Sequence, residues 1–284
     1  MKKNYLLILT FLWLSATSVA FSNNDKNTLG AKSAAMGNVS VTFADAFSVF
    51  SNQAGLARLE NMTLGVYGEN RFLVQDLGHY GIGFALPTKS GTFGLGINYF
   101  GGSLYNETKV NLAYGRNLFE KLSIGVEFDF MSINVSEFGS KSALTFGLGA
   151  IYNLTPEFTV ASHIYNPLRI KLSDNESDLL PTTLKLGVAF EPSEKITLIA
   201  ETEKTLTQPA MAKVGLEYRL VEKFYLRAGV GKQPTAMSFG VGLNLNSINI
   251  DLSASYHQTL GYSPQISFIW QKKAAKAEES NDNL

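Results

Sequence analysis

The chain has 284 residues, 45% hydrophobic and 17% charged, with 24 Lys+Arg against 24 Asp+Glu and no cysteine. A balanced charge supplies no field to draw it to nucleic acid. The lack of thiols excludes disulfides, thiolate metal sites, cysteine nucleophiles and an acylated lipoprotein N-terminus.

Met1-Lys2-Lys3, the apolar run YLLILTFLWL and the small residues of Ser18-Val19-Ala20 predict a secretory signal peptide over residues 1–20. The apolar run is too short for a membrane-spanning helix. Residues 21–61 form an N-terminal segment. In it Ala31, Ser33, Ala34, Ala35 and Gly37 suit tight packing, and DAFSVFSNQAGL, residues 45–56, predicts a short helix capped by Asp45 and ended by a turn at SNQAG. Such a segment cannot bury a core alone. The expectation is a plug inside a barrel, structural or mobile, with Phe47 and Phe50 buried and Asn52 bonded to the backbone of the following turn.

From residue 62 to 270 the pattern has strict period two, the mark of strands. In KLSIGVEFDFMS, Leu122, Ile124, Val126, Phe128 and Phe130 oppose Ser123, Gly125, Glu127 and Asp129. Such segments number about fourteen, a count allowed for bacterial barrels. They lie near 62–69, 78–86, 92–100, 109–116, 122–132, 142–152, 157–165, 182–190, 195–203, 212–219, 223–230, 236–244, 247–257 and 265–270. Short connections such as PTKSG, NLFEK and LVEK alternate with mostly longer ones such as INVSEFGSK and HQTLGYSP. Outer-membrane barrels have this asymmetry between tight periplasmic turns and external loops. An open edge in hydrocarbon would leave backbone groups unpaired, so the barrel must close. The fold class is all-β: a closed antiparallel transmembrane β-barrel in the bacterial outer membrane, in contact with its lipid.

A lipid-facing Lys or Arg at mid-membrane costs about 2–4 kcal/mol, so the strand charges point inward: Glu127, Asp129, Lys185, Glu201, Glu203, Lys213, Glu217, Arg227 and Asp251. They pair and hydrate in the lumen, or touch a solute. Gly81, Gly83, Gly94, Gly96, Gly125, Gly147, Gly149, Gly187, Gly215, Gly240 and Gly242 share that face. Either something approaches the wall closely or a sharply curved sheet is relieved of strain. Residues 271–284 read as a disordered periplasmic tail.

Gly30, Met36-Gly37-Asn38, Asp45 and then Asn52-Gln53-Ala54-Gly55-Leu56 resemble the plug signature of the FadL-like fatty-acid transporter superfamily, most closely its PorV/PorQ family of the type IX secretion system. That signature runs G-x-R-x-x-x-M-G, an aspartate, then N-P-A-G-L. Here Lys32 stands for the arginine and Gln53 for the proline, which frees a φ angle and restores an N–H. Gly55 remains available for a positive φ. The resemblance implies a secretion accessory with secretion-system proteins as partners, or alternatively a passive channel for hydrophobic solutes.

No catalytic site is expected: G-x-S-x-G is absent, and no Ser-His-acid set is evident. His79, His163 and His257 are scattered without metal-ligand spacing, so neither metal nor cofactor is expected. The acidic run SDNESD, 173–178, lacks an EF-hand spacing and reads as a solvated loop.

Overall fold

A computed structural model of the protein describes residues 28–172, 180–232 and 236–272. The expected signal peptide, the acidic run and nearly all of the C-terminal tail lie outside these residues. Among the described residues no helix is long and apolar enough to cross a membrane.

Alternating residues build fourteen antiparallel strands, each paired with its sequence neighbours. The first seven are β1 (Thr63–Asn70), β2 (Gly78–Thr88), β3 (Gly91–Gly101), β4 (Tyr105–Phe119), β5 (Leu122–Val135), β6 (Gly139–Asn153) and β7 (Phe158–Tyr165). The rest are β8 (Thr183–Ser193), β9 (Ile196–Thr205), β10 (Met211–Val221), β11 (Phe224–Lys232), β12 (Ala236–Leu245), β13 (Ile248–His257) and β14 (Gly261–Gln271). Pairing of β1 with β14, Leu64 opposite Trp270 and Tyr67 opposite Ser267, closes the barrel. The all-β closed barrel expected from the period is the fold observed.

At one end the β2–β3, β4–β5, β8–β9, β10–β11 and β12–β13 connections are two residues each. At the other end the expected long loops are partly replaced by strand. β5 runs to Val135 and β6 starts at Gly139, pairing Ile133 with Lys141, so the predicted loop 133–141 shrinks to three residues. Glu137 and Gly139 take positive φ, 69° and 87°, which lets so short a turn follow the strand twist.

Large apolar side chains cover the outer face. Phe93, Leu95, Phe128, Leu148, Val188 and Phe239 are exposed, and Phe146 and Val241 are half-covered by neighbours. The opposite face carries buried polar and small residues, including Glu127 and Asp129 at 0% exposure. The core therefore sits inside the barrel.

Candidate functional site

Residues 28–59 lie against inward-facing residues of the strands. They hold two short α-helices, α1 (Ala31–Ala35) and α2 (Ser48–Ser51), and a 3-10 turn over Gln53–Arg58. Sequence reading placed one helix over 45–56 and none at 31–35. The chain runs a lap around the inner wall. Leu29 meets β2 at Gly81, Ala31 N donates to Ser267 Oγ of β14 at 3.2 Å, and Ala35 meets β12 at Gly240, with α1 lying along β13. Met36-Gly37 crosses β10 and β11 at Gly215 and Gly229, and Val41 sits on Gly187 of β8. The lap resumes at Asn52 on Gly149 of β6, passes Gln53 on Gly125 of β5, and reaches Leu56 on Gly94 of β3.

Inward glycines make this course possible. A methyl at Gly125 would stand 2.7 Å from Gln53 Cβ, and one at Gly215 2.7 Å from Met36 Cβ. Within the segment, Gly37 has φ +74°, and a Cβ there would lie 2.9 Å from Val230 N. Only glycine fits both demands.

A segment without a sheet partner leaves backbone groups that must be satisfied from the wall. Glu201 Oε2 accepts from Ser40 N at 2.7 Å and Val41 N at 2.9 Å. Ser238 Oγ accepts from Gly37 N at 2.8 Å and donates to Ala35 O at 3.0 Å. Lys213 Nζ donates to Asn38 O at 3.2 Å while pairing with Glu203 at 2.7 Å and Glu201 at 3.4 Å. Asn52 Nδ2 donates to Val41 O at 2.7 Å, and its Oδ1 accepts from Ala54 N at 3.2 Å.

Wall glycines also let polar and charged side chains meet across an intervening strand. Arg227 of β11 and Asp251 of β13 meet at 2.5 Å over Gly242 of β12, and Arg227 Nε reaches Glu217 at 2.5 Å. Glu127 of β5 and His163 of β7 meet at 3.3 Å over Gly147 of β6. Asn111 Nδ2 bridges Glu127, at 3.2 Å, and Asp129, which Lys109 also pairs at 2.9 Å. Lys32 reaches Glu217 at 3.3 Å, and Lys185 stands 3.8 Å from Glu203. Near the long-loop end, Glu69 accepts from Tyr67, Arg71 and Gln265 and faces His79 Nδ1 at 3.3 Å.

All eight charges Glu127, Asp129, Glu201, Glu203, Lys213, Glu217, Arg227 and Asp251 are buried within the barrel. Gly30, Met36, Gly37, Phe47, Asn52, Gln53 and Gly55 are buried too, whereas Phe50 and Asp45 are partly covered. Three local expectations change. Asp45 does not cap α2, whose N-cap position is Phe47; its Oδ1 instead accepts from Phe47 N at 2.8 Å, one turn earlier. Gly55 has no positive φ. It is needed because a Cβ would press on Ser48 Oγ at 2.7 Å and on the Phe43 carbonyl. Phe50 is only partly buried because it leans over Gly96 at the margin of two clusters. Burial raises the Asp45 carboxyl above the usual range, opposed by Lys32. Lys109, Asn111, Ser238 and Ser267 were missed, although each lies on the inward parity of its strand. Among the described residues no cluster could hold a metal ion.

No family model and no curated protein matches the sequence. Solved structures do. The CymD monoaromatic hydrocarbon channel superposes with a TM-score of 0.70 at 15% identity, over 90% of this chain and 100% of that one. The chain shares its fold. The toluene transporter TbuX of Ralstonia pickettii gives 0.66 at 14%, over 88% and 99% of the two chains. A FadL homologue of Pseudomonas aeruginosa gives 0.58 at 12%, over 86% and 97%. The first of these is named a channel and the second a transporter.

Proposed function

We propose that the protein is an outer-membrane channel for small hydrophobic solutes, with residues 28–59 as its plug. The observation that carries this reading is the match of nearly the whole barrel to hydrocarbon channels, joined to a bore occupied by a segment seated on glycine. An apolar outer face and a buried polar inner face suit a barrel in lipid. The reading as a PorV/PorQ-type secretion accessory rests on the motif at residues 30–56 and on modest loops, and the buried carboxylates such as Glu127 and Asp129 lean against an apolar path.

The test is uptake of radiolabelled toluene by cells with an intact lipopolysaccharide leaflet, where the bilayer itself resists the solute. Expression should raise the initial rate several-fold over a barrel of unrelated function. Equal rates would count against the channel. Recovery of secretion-system proteins with the barrel from native membranes would favour the accessory instead.

A further inference from the structure

The inner segment is held to the wall in two different ways. From Ala31 to Val41 its backbone is bonded to strand side chains, at Ser267, Ser238, Lys213 and Glu201. From Asn52 onward it is bonded to strands again: Asn52 Nδ2 reaches Ala150 O and Ser162 O at 3.4 Å, and Asn117 Nδ2 donates to Ala57 O at 3.0 Å. Among the described residues no hydrogen bond joins residues 42–51 to a strand; their bonds stay within the segment. Ser48 Oγ donates to Phe43 O and accepts from Asp45 N, both at 3.0 Å, and Asp45 Oδ1 accepts from Phe47 N at 2.8 Å. What holds this stretch to the wall is apolar contact: Ala46 and Phe47 on Gly65, Val49 and Phe50 on Gly96, and Phe43 beside Ala189 and Ile199. Its two ends meet at one clasp, the 2.7 Å bond from Asn52 Nδ2 to Val41 O. On one side it has room, since Ala44 is exposed and Asp45 and Phe50 are partly so.

We propose that residues 42–51 are a strap that a small apolar solute lifts from the wall, turning about the Asn52 clasp while residues 31–41 stay in place. The inference rests on the channel reading and names its moving part and the seat of its solute. Apolar contact is non-directional, so a hydrocarbon can take over the contacts of Phe47 and Val49 without unpairing a polar group of the wall. Lifting residues 31–41 would instead strand the Glu201 carboxylate and the Ser40 and Val41 amides inside the barrel, at the cost of their lost bonds. The bonds that Ser48 makes to Phe43 and Asp45 travel with the strap and keep its shape. The seat it uncovers is apolar. Gly65, Gly83 and Gly96 form its floor, with Leu29, Ile269 and the ring of Tyr67 beside the place of Phe47. The Tyr67 hydroxyl is already bonded, to Glu69 at 3.3 Å.

The chain has no cysteine, so a single introduced thiol reports its own site. Ala46 on the strap and Ala35 on the bonded part are both 0% exposed. They are matched at the wall too: a methyl at Gly65 would stand 2.8 Å from Ala46 Cβ, and one at Gly240 2.7 Å from Ala35 Cβ. The test is the rate at which a water-soluble maleimide alkylates Ala46→Cys and Ala35→Cys, each in the full chain in lipid nanodiscs, with and without toluene. Toluene should speed labelling of Ala46→Cys about tenfold and leave Ala35→Cys unchanged. Loosening of the disc by toluene is common to both variants and cancels in the ratio. Without toluene, adding Asn52→Ala should speed Ala46→Cys alone. Heat-modifiable gel migration checks folding, and Val49→Cys and Ala34→Cys stand in for either alanine variant that does not fold. No change at Ala46→Cys, or an equal rise at both sites, overturns the strap; an unchanged rate in Asn52→Ala overturns the clasp. Toluene uptake by cells without this labelling change would sink the strap and spare the channel. The labelling change without uptake would keep the strap and count against the channel.

Discussion

A glycine on the inner face leaves a gap the size of a methyl group, and two different things fill it. At Gly125 the filler is backbone: a Cβ would crowd Ala54 N and the Gln53 carbonyl carbon, neither of which can rotate away. Gly125→Ala should cost about 1–3 kcal/mol through overpacking and loosen the segment, seen as new ion conductance in planar bilayers. At Gly242 the filler is the Arg227 guanidinium, which serves Glu217 and Asp251 together. Arg227→Met should destabilise the barrel by about 3–5 kcal/mol in urea unfolding, because two buried carboxylates lose their common partner. Adding Asp251→Leu should recover part of that loss. Asp45 adds one pH dependence to the segment. Its raised pKa means the folded state keeps a proton that the unfolded chain has released, so stability falls as pH climbs from the ordinary carboxylate range to the raised value. Asp45→Asn should flatten that part of a plot of melting temperature against pH while keeping the acceptor for Phe47 N.

Among the elements, the strands were readable, whereas of the segment only the helical stretch within 45–56 was, and not its path. Period two exists because one strand face meets lipid and the other the bore. At their far ends β5 and β6 are exposed or only partly covered on both faces, so alternation fades at 132 and 142 while backbone pairing continues to Val135 and from Gly139. Inward charges could be found by parity alone. Their partners could not, because Glu127 with His163 and Arg227 with Asp251 pair across a strand lying between them. Residues 28–59 have no period of their own, since the wall fixes their path. Deleting residues 30–58 should leave a barrel that inserts, still shows heat-modifiable migration and conducts ions; a silent bilayer would argue that the segment does not block the bore.

For the molecule as a whole, the lap matters mechanically. A closed sheet bends less readily along its strands than across them, and here inward pairs such as Arg227 with Asp251 and Glu127 with His163 link strands two apart. The inner segment touches β2, β14, β12, β11, β10, β8, β6, β5 and β3 in turn and so acts as a hoop, fixing the distance between opposite walls. Any load that would turn the cross-section from round to oval must first stretch or shear the bonds at Glu201, Ser238 and Asn52. The inner segment thus ties opposite walls together from within, through bonds such as those of the Ser40 and Val41 amides to Glu201.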